Sequence, residues 1–139
     1  MDIRIDKKNV IDGVHRQTAL LALKNDNGGI IAYSEDDEGR VEPLWMAALD
    51  ELLQLLLPYA RMSVTDAGAD FLLSLPANWN EAHSDALQKL ALNFMVTSLT
   101  ARWLDGVKPD SAMLLRSLNS STATAIIELL YARKRVNRG

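Results

Sequence analysis

The sequence predicts a mainly α (α+β) domain: a four-helix assembly with one β-hairpin inserted between helices two and three. Three observations carry this. Apolar residues recur at i, i+3, i+4 and i+7 through Leu44–Ala60 and again in the stretches after Asn80 and Asp110. Between the first two of these the period falls to two, in "RMSV" and "FLLSL", around the turn-forming "DAGA". The chain has 139 residues, 48% apolar and 24% charged. At about 150 residues a domain buries roughly 68–70% of its unfolded surface, so residues 1–139 are expected to share one core as a single domain.

The first helix is expected from about Lys7 to Lys24, behind Asp6 as N-cap. Val10, Val14, Leu20, Leu21 and Leu23 lie loosely on one side. Gly13 weakens this helix by about 1 kcal/mol relative to alanine. "NDNGG" at 25–29 stops it, and "IIAY" at 30–33 is a short apolar piece. In "SEDDEGRVEPLW", Ser34 and Asp37 resemble a capping box, but Gly39 and Pro43 follow. Proline is best placed in a first turn, which favours a short acidic turn before a helix starting at Glu42 over one kinked helix spanning both. Trp45, Ala48, Leu49, Leu52, Leu56 and Tyr59 form the stripe of this second helix. Leu53, Leu55 and Leu57 widen it, and Pro58 kinks or ends it.

The hairpin pairs about 61–65 with about 70–75, with glycine in "DAGA" supplying positive φ. A lone hairpin is marginal in water, so it must lie on the helices or pair with another chain. Asn78 or Asn80 caps the third helix. Its two apolar stripes, one through Leu87, Leu90, Ala91, Phe94, Ser98 and Ala101 and one through Met95, Leu99 and Trp103, place it centrally. "DGVKPD" closes it, with Gly106 as C′ residue and Asp110 capping a last helix from about Ser111 to Lys134. Within that helix "SLNSSTATA" is rich in weak helix formers. Either their small size allows close helix approach, or the helix breaks near Asn119.

Chemistry is harder to find. With no cysteine, disulfides, thiolate metal sites and thiol nucleophiles are excluded. His15 and His83 stand outside any zinc-binding spacing. The acidic residues of "SEDDEGR" lack the spacing of a calcium loop and read as a solvated helix start. Gly28–Gly29 has no phosphate-loop pattern, and no G-x-S-x-G elbow occurs. The expectation is a protein that is no enzyme and uses no metal or cofactor. A net charge of −3 argues against a dedicated DNA-binding domain. The N-terminus has no apolar signal core, and no run approaches the ~20 residues of a membrane span, so a soluble, cytoplasmic protein without membrane contact is expected.

The candidate contact residues are few. Four of the 15 Lys+Arg residues crowd the last seven positions: Arg133, Lys134, Arg135 and Arg138. They offset the negative end of the last helix, dock an acidic partner surface, or contact phosphates as a small nucleic-acid-binding or regulatory module would. Phe71 and Leu73 belong to a hairpin whose open edges invite strand addition through about Arg61–Thr65 or Ala69–Leu75. Phe71→Asp is expected to abolish oligomers if Phe71 faces a partner, and to unfold the monomer if it packs inward. Trp45 and Trp103 read as core. Trp79 either anchors the hairpin onto the third helix or faces a partner.

Several stretches together resemble a group of small proteins from phage and prophage gene clusters of gut anaerobes, encoded among head-completion and tail-assembly genes. "DKKNVIDGVHRQTA" is similar to that group's opening helix, and "PLWMAALDELLQLLLPYARMSV" to its long helix running into a strand. "FLLSLPANWNEAHSDALQKLALNFMVTSLTARWL" resembles its strand, aromatic-polar cap and central helix with a terminal Arg102-Trp103 pair, and "IIELLYARKRVNR" its Tyr-then-basic ending. The resemblance implies a minor structural protein of the virion, at the head–tail junction or in the tail. Such a part joins copies of itself, as a homo-oligomer or ring, to other virion proteins.

Overall fold

Ile3 and Ile5 alternate with Asp2, Arg4 and Asp6, and this short alternation forms a strand, β1 (Asp2–Asp6), whose buried residues are the two isoleucines. The computed structural model describes residues 1–21, 23–24, 30–31 and 38–133, with side chains for 1–21 and 39–133. From β1 the chain enters α1 (Lys7–Leu20), capped as expected by Asp6, whose carboxylate accepts from the Lys8 N–H at 3.0 Å. The helix ends earlier than predicted. Leu23–Lys24 is instead strand β2, antiparallel to β3 (Ile30–Ile31).

The second helix, α2 (Glu38–Leu56), is one helix with Pro43 inside it, not a turn followed by a helix at Glu42. The residue four before Pro43, whose carbonyl its ring would crowd, is Gly39, exposed and with open space around it. Val41 and Trp45, one turn apart, are both buried, so packing favours continuing the helix through the proline. The chain then forms β4 (Ala60–Thr65) and β5 (Gly68–Leu73), joined by Asp66–Ala67. The expected hairpin is present, and β1 makes it a three-stranded antiparallel sheet in the order β1–β5–β4. Ile3, Phe71 and Met62 align across its inner face, as do Ile5, Ala69 and Val64.

Gly68 does not serve a positive φ. A Cβ there would lie 2.1 Å from the Ile5 carbonyl oxygen, so glycine is what lets β1 close on the hairpin. A 3₁₀ turn (Glu81–His83), capped by the Asn80 side chain, leads into α3 (Ser84–Asp105). This helix packs against α1, α2, α4 and β1, which is why it is apolar on two sides. The last helix, α4 (Pro109–Leu130), starts with Pro109 in its first turn and ends before Lys134. It runs unbroken through Asn119, which is buried and donates from Nδ2 to the Phe94 carbonyl at 3.3 Å instead of capping a new helix.

Candidate interaction surface

The two-residue loop sets which backbone groups the sheet leaves open. Thr65 and Gly68 close the hairpin as a hydrogen-bonded pair, so Arg61, Ser63 and Thr65 bond to β5. The Ser74 N–H bond to the Tyr59 carbonyl, 2.8 Å, continues this alternation. Met62 and Val64 therefore turn their N–H and C=O groups away from β5. On the other side, Leu73 N–H donates to the Met1 carbonyl at 2.8 Å, so Arg4 is an outward-facing residue of β1. That edge is occupied at Arg4, its middle residue. The Arg4 N–H donates to Gln88 Oε1 at 3.0 Å, and Gln88 Nε2 donates back to the Arg4 carbonyl at 2.7 Å. The α3 side chain stands in for a strand neighbour. No described strand or side-chain pair does the same for β4, whose Val64 is 42% exposed.

Among the described residues, the sheet therefore leaves one backbone edge without a partner, not the two of a free hairpin. The alternative expected at Ala69–Leu75 is corrected: β5 is the central strand, bonded on both sides. The candidate contact residues Phe71 and Leu73 are corrected with it. Both point to the inner face and are buried under the helices, Phe71 fully. The outer face is polar, with rows Asp2–Leu72–Arg61, Arg4–Asp70–Ser63 and Asp6–Gly68–Thr65.

Trp79 is also no partner contact. It is buried, and its indole N–H donates to the Leu129 carbonyl at 2.8 Å. It anchors the strand-to-helix junction onto the end of α4, not onto α3, and forms an antiparallel bridge with Arg133. Arg133 in turn donates to the Leu130 and Ala132 carbonyls at 3.0 and 3.1 Å and reaches the Tyr59 hydroxyl at 3.5 Å. Its guanidinium lies 6.0 Å from the centre of the Tyr131 ring, which meets Tyr59 edge-on. A cation satisfying the last carbonyls of a helix is the capping role open from sequence. Lys134, Arg135 and Arg138 lie outside the described residues.

A groove of about 350 Å³ separates α2 from α4 above α3, lined by Glu51, Leu55, Phe94, Ser98, Arg116 and Asn119. Its charges are engaged in pairs. Glu51 accepts from Ser98 Oγ at 3.1 Å and from Arg102, and Arg116 grips both oxygens of Asp105. The hydrogen bond from Arg116 first, then its charge and that of Arg102, outweigh burial and hold the Asp105 carboxyl below its ordinary value. The same pairing raises Arg116. Among the described residues, no three His, Asp or Glu side chains gather in a way that would hold a metal ion, and no helix is long and apolar enough to cross a membrane. The acidic stretch 34–37 lies outside the described residues. No family model matches the chain, and the searches of curated proteins and of solved structures find no match.

The sequence reading missed Gln88 as the guard of the β1 edge. The available signal was the Ile3/Ile5 alternation, which marks a strand and so raises the question of what pairs with its far side.

Proposed function

We propose that this chain is a non-enzymatic structural protein, a minor assembly part of a phage or prophage particle at the head–tail junction or in the tail, that joins copies of itself and neighbouring particle proteins by strand addition. The observation that carries the reading is the contrast between the two sheet edges. Gln88 closes the middle of β1 at Arg4, while among the described residues nothing pairs with the outward backbone groups of Met62 and Val64 on β4. The particle assignment comes from the resemblance of the helix–strand–helix order. The edge supplies a mechanism suited to it, since an extended segment of a neighbouring copy or particle protein can add to β4 as a further strand.

Val64→Pro tests this. It removes an outward N–H from the edge but none of the bonds between β4 and β5. The wild-type chain should sediment as an oligomer, and V64P as a smaller species with unchanged helix content. If V64P keeps the wild-type mass, β4 is not the interface. A wild-type chain monomeric at about 100 μM, where contacts worth about 5.5 kcal/mol would show, overturns self-assembly.

A further inference from the structure

The outer face of α4 does not look like a solvated helix face. Met113 is 69% exposed, Leu114 59%, Leu118 58%, Ile127 40% and Tyr131 53%. Between Arg116 and Glu128 the helix carries no charge, in a chain that is 24% charged. At 100° per residue, Met113, Ser117, Ser120, Thr124, Ile127 and Tyr131 fall on one stripe, with Leu114, Leu118, Ser121 and the charged Glu128 beside it. The stripe is large and apolar at both ends and small in the middle. Exposed apolar surface of this extent marks an interaction site.

We infer that this face is covered by a second copy of the chain, α4 against antiparallel α4, on a two-fold axis between Ser120 and Thr124. This contact goes beyond the strand-edge reading and does not depend on it. Three features select this occupant. First, the stripe is close to palindromic. An antiparallel pairing about that axis sets Met113 against Tyr131 and Ser117 against Ile127 of the second copy, so each large end meets a large end while the small centre lets the helices approach. Second, charge favours the antiparallel sense. Asp110 stands in the first turn and Arg133 just past the last, so antiparallel copies bring unlike ends together and parallel copies like ends. Third, the area suffices. The stripe and its flank extend about 27 Å and expose on the order of 700 Å², close to the roughly 800 Å² per partner of a standard interface.

The chain has no cysteine, so single cysteines report register cleanly. Ser120→Cys and Thr124→Cys chains, mixed and oxidised, should form the 120–124 mixed disulfide at least several-fold over either homodisulfide. Predominant 120–120 and 124–124 products mean parallel packing and overturn the antiparallel axis. No disulfide above that of a cysteine at exposed Lys89 overturns the contact. Ser120→Glu places a charge at the exposed centre of the stripe, so it should halve the sedimenting mass with unchanged helix content. An unchanged mass overturns the proposal. In the V64P background the α4 dimer should persist, and in S120E the strand-edge contact should persist, so the two surfaces fail separately.

Discussion

Gly13→Ala sets a local rule against a tertiary contact. In an isolated helix the change is favourable, because glycine costs about 1 kcal/mol relative to alanine in a helix interior. In the folded chain Gly13 faces α3. A Cβ added there would lie 2.6 Å from Val96 Cγ2 and 3.1 Å from Cγ1. Valine on a helix has one strongly preferred χ1 rotamer, so its methyls cannot turn aside without cost, and overpacking of this kind costs typically about 1–3 kcal/mol. The overpacking term therefore equals or exceeds the propensity gain, and G13A should be destabilised by about 1 kcal/mol. The sign should depend on residue 96. In a Val96→Ala background the clash is gone, and Gly13→Ala should stabilise by up to about 1 kcal/mol. Urea unfolding of the four chains closes the cycle, with an expected coupling of about 1–2 kcal/mol. If G13A raises stability equally in both backgrounds, α1 does not approach α3 at Gly13 and the packing argument fails.

Two other expectations follow from the same structure. Phe71→Asp should unfold the monomer instead of dissociating an oligomer, because Phe71 is fully buried and an unpaired carboxylate there costs several kcal/mol on top of the lost apolar side chain; a folded, monomeric F71D seen by circular dichroism and sedimentation would contradict its placement. The Asp105–Arg116 pair should give a shallow acid limb: the folded carboxyl titrates below its unfolded value, so its stabilisation is complete above the unfolded pKa of about 3.9 and is lost as pH falls through the lower folded value. Both side chains are 47% exposed, so solvent screening holds the effect under about 1 kcal/mol. The stability difference between wild type and Asp105→Asn should shrink below about pH 4, and a difference constant from pH 3 to 7 would refute the assignment.

The amino-acid sequence by itself determined the elements whose signals are local. The stripes of α2 and α3 and the change of period at the hairpin follow from spacing within one segment, because helix hydrogen bonds and a tight turn join residues only a few positions apart. The central place of α3 was legible for the same reason, since an apolar surface on two sides needs neighbours on two sides. Tertiary structure decided what depends on distant residues. β1 is a strand because Leu73 and its neighbours lie alongside it, some 72 positions on in the chain. That pairing turned a free hairpin into a sheet with Phe71 and Leu73 sealed beneath α-helices. Gly68 is needed for the closeness of β1, and Gly13 for the closeness of α3. Asn119, a helix breaker by propensity, is held in α4 by a carbonyl of α3. Burial and long-range hydrogen bonds add up to more free energy than the few tenths of a kilocalorie by which one residue prefers helix or turn, so they decided wherever the two disagreed.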